Sequence, residues 1–118
     1  MGDIFPTSGF FGYFPFARVA YSENLIMEKP QIEIEYCTKC KWLLRASWIS
    51  QELLSTFSNE ISGVILIPSN IAGIFEIRSG REIIWERVKK GGMPEIKELK
   101  RKVRDLVAPD KGLGHIDS

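Results

Sequence analysis

Two cysteines set three positions apart, Cys37 and Cys40, are the feature that most constrains this 118-residue chain. Residues 31–36, just before them, alternate between polar and apolar side chains, which predicts a half-buried strand. From Lys41 to about Phe57, apolar residues recur at helical spacing, which predicts an amphipathic helix. The C-x-x-C motif therefore lies where a strand ends and a helix begins. In an intracellular protein near a βαβ pattern, this position indicates thiol redox chemistry.

The remaining elements follow from shorter patterns downstream. The β-branched run at 64–67 predicts a second strand, joined to the first by a helix long enough for a right-handed parallel crossover. Apolar runs at 73–78 and 82–86 around a glycine-containing link predict a β-hairpin, and a second helix follows with Pro94 in its first turn. The order β-α-β-β-β-α defines an α/β class with a four-stranded mixed sheet. Because the first strand is polar on one side, we expect both helices mainly on the other face.

Composition is typical of a soluble protein with one domain. The formal net charge is +1, so charge gives no reason to expect nucleic acid or a membrane surface as a partner. No stretch reaches the about 20 apolar residues that a transmembrane helix needs. Two cysteines are too few for a secreted disulfide scaffold, and the N-terminus lacks the layout of a signal peptide. We therefore expect a cytoplasmic protein.

Residues 1–28 differ from the rest of the chain, because aromatic residues alternate with glycine and proline and no helical or strand period survives. We expect a poorly ordered N-terminal extension, or translated sequence upstream of a true start at Met27. An aromatic interaction arm and a transit peptide stay open as alternatives, although Arg18 is the only basic residue that a transit peptide would have. Residues 29–118 then form the folded domain with a short C-terminal tail.

The position of the cysteines favours the thiolate, which is the species that attacks a disulfide. Unpaired N–H groups and the positive end of the dipole at a helix N-terminus lower the pKa of a thiol. Lys39, Lys41 and Arg45 are cations close in sequence that act in the same direction. On this argument Cys37, expected to be the more exposed residue at the helix start, attacks a disulfide, and Cys40 then resolves the mixed disulfide.

Two other interpretations of the cysteine pair stay open. A structural zinc site usually has four protein ligands, whereas the chain has one C-x-x-C and a single histidine, His115. Zinc would therefore require a dimer that shares ligands. Two inert buried cysteines are the second alternative, since free cysteine is often buried.

A surface for a protein partner is a separate hypothesis. Leu44 and Trp48, one helical turn apart, fall at the edge of the polar side of the predicted helix. They would form a small exposed apolar patch, and the surface around Thr38, Trp42, Leu44 and Trp48 would dock a partner. In this alternative the protein is a non-catalytic binding module, and its C-x-x-C is a redox-sensitive switch for docking.

Five segments together resemble the selenoprotein W/T/H (Rdx) family: residues 34–40, 73–77, 91–95, 99–106 and 113–115. The resemblance runs from about Lys29 to the C-terminus. The chain looks like a short bacterial-type member with cysteine where some relatives carry selenocysteine. The resemblance implies a thioredoxin-like two-layer fold of four strands and two helices. It also implies a redox role linked to protein thiols or glutathione.

The resemblance leaves two assignments for the attacking residue. Selenium in the selenoprotein relatives corresponds to Cys40, whereas in ordinary thioredoxin-like enzymes the first cysteine, here Cys37, attacks. Thioredoxins also place a proline before the strand that faces the C-x-x-C, whereas residues 71–73 occupy that approach here, so substrate recognition should differ. We expect no metal and no bound cofactor. The expected site consists of Cys37 and Cys40 as the reacting pair, with Thr38, Lys39, Lys41, Trp42 and Gly73 in supporting or binding roles.

Overall fold

The order of the strands and long helices is the one that the sequence periods predict. The computed structural model describes residues 29–114 and contains four strands and three helices in that range. The strands are β1 (Gln31–Cys37), β2 (Gly63–Ser69), β3 (Phe75–Ser79) and β4 (Glu82–Glu86). The helices are α1 (Leu43–Thr56), α2 (Arg87–Lys90) and α3 (Ile96–Val107).

The four strands form one mixed sheet in the order β2-β1-β3-β4. β1 pairs in parallel with β2, from Gln31 opposite Gly63 to Cys37 opposite Ser69. β3 pairs antiparallel with β1, and β4 pairs antiparallel with β3. Parallel strands in register end at the same edge of a sheet, and an antiparallel neighbour begins there. The ends of β1 and β2 and the start of β3 therefore meet at one edge, where Cys37 lies.

Both long helices cover the same face of the sheet. On β1 the buried apolar side chains of that face are Ile32, Ile34 and Tyr36, as the alternation predicted. They form one cluster with buried residues of β3, α1 and α3, namely Phe75, Ile77, Ala46, Ile49, Leu53, Leu99 and Val103. The two-layer α/β arrangement with helices mainly on one face is therefore confirmed.

The other face of the sheet carries a network of charges. Arg78 on β3 lies among the carboxylates of Glu33, Glu35 and Glu76, with N–O distances of 2.8, 3.0 and 2.8 Å. Because these side chains are partly exposed, each pair stabilises the fold by about 1 kcal/mol at most. A hydrogen bond with Ser69, and then Arg78, lower the pKa of the Glu35 carboxyl. The polar side chains Glu33 and Glu35 of β1 therefore have an ion-pair partner within the sheet.

Two helices begin later than the sequence predicted. Lys41 has φ +61°, a left-handed conformation that no α-helix contains, so α1 begins at Leu43. Pro94 lies outside α3, which has Glu95 as its N-cap residue. The Glu95 carboxylate accepts a hydrogen bond from the N–H of Glu98 at 3.0 Å. This side-chain cap, rather than the proline, marks the start of the helix.

The short helix α2 was not predicted, because four residues cannot show a hydrophobic period. The side chain of Glu86 caps its start by accepting hydrogen bonds from the N–H groups of Val88 and Lys89, at 3.3 and 2.9 Å. Gly91, with φ +81°, ends it in the left-handed conformation that glycine tolerates best. The predicted order β-α-β-β-β-α is correct once this helical turn is inserted after β4.

Several expectations fall outside the range that the structure describes. These are the expectations for residues 1–28, including a start at Met27, and the one for His115. The C-terminal tail is described as far as Gly114. Between residues 29 and 114, none of the helices combines the length and the apolar character needed to cross a membrane.

The two faces of α1 can be compared with one pair of substitutions. Leu53 is 0% exposed and Leu44 is 82% exposed, although both belong to the same helix. We expect Leu53→Ala to lower the free energy of unfolding by about 2–5 kcal/mol, because it leaves a cavity in the core. Leu44→Ala should change it by no more than about 0.5 kcal/mol. Urea denaturation followed by circular dichroism measures both, and equal losses would contradict this orientation of α1.

Candidate functional site

Cys37 is the last residue of β1 and is held by the sheet rather than by a helix. Its N–H donates to the carbonyl of Ile74 at 2.9 Å, and the residue lies opposite Ser69 on β2. Cys37 is 1% exposed, whereas Cys40 is partly exposed. The prediction that Cys37 is the more exposed cysteine at a helix start is therefore wrong, because the residue still pairs with β2 and its N–H is bound on the other side by the carbonyl of Ile74.

A turn of residues 38–41 brings the second cysteine back to the first. Thr38 anchors the turn, because its N–H and its Oγ1 hydroxyl both donate to the carbonyl of Ser69, each at 3.2 Å. The N–H of Lys41 donates to the Thr38 carbonyl at 3.2 Å and closes the turn. The Cys40 thiol is thereby placed within hydrogen-bonding distance of Cys37, before α1 begins.

The two thiols are free, and their pKa values are shifted in opposite directions. The hydrogen bond with the Cys40 side chain is the main cause that lowers the pKa of Cys37. Burial opposes it, and the backbone N–H groups of Gly73, Cys40 and Lys39 support it. The same contact raises the pKa of Cys40, and burial adds to that rise. Cys37 is therefore the thiol that ionises first.

The N–H groups that favour this thiolate do not come from α1. They belong to the turn that carries Cys40 and to the loop that carries Gly73. This corrects the expectation that the first turn of a helix activates the pair. The expected direction of the pKa shift on Cys37 is nevertheless the one that the structure shows.

Gly73 lies at the centre of the site, because its backbone meets both cysteines. Its N–H lowers the pKa of Cys37 and of Cys40. Its φ is +76°, a conformation that side-chain-bearing residues rarely adopt. A Cβ at this position would also lie 3.3 Å from Nη2 of Arg87. Glycine is therefore required here for its backbone conformation and, to a smaller extent, for space.

Arg87 is a site residue that the sequence analysis missed. Its Nε donates to the carbonyl of Gly73 at 3.0 Å, and its guanidinium lies 5.1 Å from the centre of the Trp42 ring. Trp42 in turn packs edge-on against Phe75 on β3, with ring centres 6.0 Å apart. The positive charge of Arg87 acts on Cys40 and lowers its pKa, against the larger effects that raise it.

The strand register of the predicted hairpin could have located Arg87. Glu86, at the end of β4, pairs with Glu76 near the start of β3. A residue that follows β4 therefore returns to the edge of the sheet where β1 ends and Cys37 lies. Ser69 was missed for a similar reason, since its role depends on the parallel register that places it opposite Cys37.

The predicted supporting residues all lie at this edge of the sheet, but their contacts differ. Thr38 anchors the turn, and Lys39 contributes its backbone N–H to the Cys37 thiol. Trp42 and Gly73 are joined through Arg87. The side chains of Lys39 and Lys41 are exposed. Their roles in catalysis or binding stay predictions. Among residues 29–114, no three His, Cys, Asp or Glu side chains are grouped in a way that would hold a metal ion.

A mixed four-stranded sheet, covered by helices on one face and carrying a C-x-x-C pair at the end of its first strand, defines a thioredoxin-like class of thiol protein. The chain belongs to the Rdx family, whose model matches residues 31–105. The family resemblance is therefore confirmed, although the segment at residues 113–115 lies outside the matched range.

Two solved structures support this assignment. The crystal structure of a selenoprotein W-related protein from Vibrio cholerae is 56% identical, with a TM-score of 0.64, over 67% of this chain and 98% of that one. The crystal structure of a protein from Bordetella parapertussis is 48% identical, with a TM-score of 0.65, over 68% of this chain and 100% of that one. None of the curated proteins compared with the chain matches it.

Two glycine substitutions separate backbone strain from the chemistry of the site. Gly73 and Gly80 have φ values of +76° and +59°, but only a Cβ at Gly73 would meet Arg87. We expect both alanine variants to lower the free energy of unfolding by about 1–2 kcal/mol. Only Gly73→Ala should raise the pKa of the thiols, because it disturbs the Gly73 N–H and displaces Arg87. Titration of the ultraviolet thiolate absorbance measures this, and identical titrations for the two variants would contradict the role of Gly73.

Proposed function

We propose that the protein is a thiol–disulfide redox protein that cycles Cys37 and Cys40 between dithiol and disulfide, with glutathione or protein thiols as its redox partner. The observation that carries the proposal is the contact between two free thiols with oppositely shifted pKa values. Thiol–disulfide exchange needs a thiolate that attacks and a second thiol that displaces the bound partner. Membership of the Rdx family is compatible with this chemistry.

The reaction consists of two exchange steps. In the first, a thiolate of the pair attacks one sulfur of a partner disulfide and forms a mixed disulfide, and the other partner sulfur leaves as a thiolate and takes up a proton. In the second, the remaining thiol loses its proton and attacks the mixed disulfide. The Cys37–Cys40 disulfide forms, and the second partner sulfur leaves. The partner disulfide is reduced by two electrons, which external thiols return to the protein by the reverse steps.

We assign the attack to Cys37 and the resolving step to Cys40. The lowered pKa of Cys37 supports this order, because the thiolate is the nucleophile. Exposure favours the opposite order, since Cys37 is 1% exposed and Cys40 is partly exposed. The two orders give different trapped intermediates, and an experiment below separates them.

The loop at residues 71–73 supports a partner specificity that differs from that of thioredoxin. It carries no proline, and its Gly73 carbonyl already accepts a hydrogen bond from Arg87 at 3.0 Å. General disulfide reductase activity is therefore not part of the proposal. We propose the cytoplasm as the compartment, because a reducing environment keeps such a pair available as a dithiol.

A second candidate function is a redox-sensitive docking module that does not turn over. The exposure of Leu44 and Trp48 favours it, since these apolar side chains are 82% and 47% exposed beside the cysteine motif. In this alternative, formation of the disulfide changes the turn of residues 38–41 and with it the affinity for a bound protein. Measurement of the reduction potential and of turnover distinguishes the two functions.

The reduction potential of the pair tests the leading proposal. We expect the wild-type protein to form an intramolecular disulfide with a potential between roughly −180 and −320 mV, the range of intracellular thiol buffers. Equilibration with defined ratios of reduced and oxidised dithiothreitol, followed by thiol alkylation and mass spectrometry, measures it. Cys40→Ser is the control and should show no such transition. Absence of an intramolecular disulfide in the wild-type protein under all of these conditions would contradict the redox proposal.

Trapping of mixed disulfides tests the assignment of roles. In Cys40→Ser the resolving thiol is absent, so we expect oxidised glutathione to leave a stable adduct on Cys37. The matched variant Cys37→Ser should form its adduct more slowly at neutral pH, because burial still raises the pKa of Cys40 after the Cys37 thiol, the main cause of the rise, has been removed. Intact-mass measurement over time gives both rates. Faster adduct formation on Cys40 would reverse the roles while leaving the redox proposal intact.

A further inference from the structure

Four cations around the cysteine pair have no acidic partner among residues 29–114. Lys39 and Lys41 flank Cys40 in the chain, Arg45 belongs to the first turn of α1, and Arg87 stacks on the ring next to the turn. None of the four makes an ion pair within residues 29–114. Arg87 uses Nε for the Gly73 carbonyl, and its terminal nitrogens have no hydrogen-bond acceptor in the described part of the chain.

Several cations elsewhere in the described chain are neutralised locally. Arg78 lies among three carboxylates on the open face of the sheet. Lys100 is 2.9 Å from Oε1 of Glu52, and Lys111 is 3.5 Å from Oε2 of Glu60. Within the described part of the chain, the positive charge beside the cysteine pair is therefore not neutralised, and such a patch attracts and orients acidic partners.

An apolar groove begins directly beside these cations. It is shallow, has a volume of about 490 Å³, and is lined by Lys41, Trp42, Leu44, Arg45 and Trp48. Leu44 and Trp48 are one helical turn apart and therefore neighbours on the surface of α1, with exposures of 82% and 47%. Large apolar side chains in such a position are well suited to anchor a partner's side chain.

The groove adjoins the turn that carries Cys40. Its first lining residue, Lys41, directly follows Cys40, and Trp42 belongs both to the groove and to the contact with Arg87. A chain segment whose sulfur reacts with the pair would therefore extend along α1. Its neighbouring side chains would meet Leu44, Trp48 and the unpaired cations.

We propose that this groove, lined by Lys41 and Arg45 and close to Lys39 and Arg87, docks an acidic polypeptide segment of a partner protein. The segment presents one large apolar side chain to Leu44 and Trp48 and carboxylates to Lys41 and Arg45, next to the turn that carries Cys40. This inference rests on the proposed function, because it names the class of substrate for the same cysteine pair.

Two other occupants fit less well. Glutathione carries carboxylates but no large apolar side chain, so it would leave Leu44 and Trp48 uncovered. A second copy of this chain would have to supply carboxylates, but three of those on its open sheet face are already engaged by Arg78. Charge and apolar surface together favour a protein segment.

Binding is tested without the redox reaction, so that the two proposals can fail separately. The full-length chain with both Cys37→Ser and Cys40→Ser is titrated, by isothermal calorimetry, with a cysteine-free peptide in which one phenylalanine lies between glutamates. Matched peptides replace the glutamates with lysine, or the phenylalanine with glycine. We expect binding of the first peptide only, weakening as salt is raised because exposed charges are screened.

Variants of the protein locate the binding surface. Arg45→Glu and Trp48→Ala should each weaken the binding of the acidic peptide by about tenfold or more. Lys97→Glu is the matched control, since Lys97 is an exposed cation on α3, and it should leave the affinity within about twofold. Equal weakening by Lys97→Glu, or no binding at all, would overturn the docking inference.

Two further outcomes would replace the proposed occupant. Displacement of the peptide by millimolar glutathione would assign the cations to a small thiol ligand. Self-association of the protein that Trp48→Ala abolishes, measured by sedimentation, would assign the groove to a second copy. If the peptide binds but the wild-type pair forms no disulfide, the redox proposal fails and the docking surface stands. If the pair cycles but no peptide binds, the docking inference fails and the redox proposal stands.

Discussion

Strand pairing at the end of β1 is the constraint on which the site depends. Cys37 is the last residue of β1 that pairs with β2, where it lies opposite Ser69. On its other side, its N–H donates to the carbonyl of Ile74. This position buries Cys37 at the end of β1, between β2 and the loop before β3. The chain leaves the sheet through Thr38, which is fixed by two hydrogen bonds to the Ser69 carbonyl. The turn that follows, and not the start of α1, therefore determines where Cys40 lies.

The reactivity of Cys37 depends on a balance between burial and hydrogen bonding. Burial alone raises the pKa of a thiol and leaves it inert. Here the Cys40 thiol and the N–H of Gly73 act against burial, and the net shift of the Cys37 pKa is downward. The hydrogen bonds to Cys37, rather than its exposure, therefore argue against the hypothesis of two inert buried cysteines. The two cysteines also differ in pKa, because the hydrogen bond between them lowers the pKa of Cys37 and raises that of Cys40.

Much of the fold could be predicted from local periodicity, because alternation and helical spacing report directly which side chains are buried. Ile32, Ile34 and Tyr36 are buried as the pattern of β1 required. The boundaries of α1 could not be predicted in the same way, since apolar spacing does not reveal the left-handed backbone of Lys41. Arg87 was missed because its place in the site depends on the register of the β3–β4 hairpin, which a local period does not contain.

The β3–β4 hairpin therefore contributes directly to the site, although each of its strands has only five residues. Arg87 follows β4 directly, and it binds the Gly73 carbonyl and stacks on Trp42. These contacts join the end of the hairpin, the loop before β3 and the start of α1. Because the charge of Arg87 lowers the pKa of Cys40, the register of the hairpin affects the difference in acidity between the two cysteines. The main cause of each shift is the neighbouring thiol, and the charge of Arg87 adds to it an effect on Cys40 that depends on the pairing of β3 with β4.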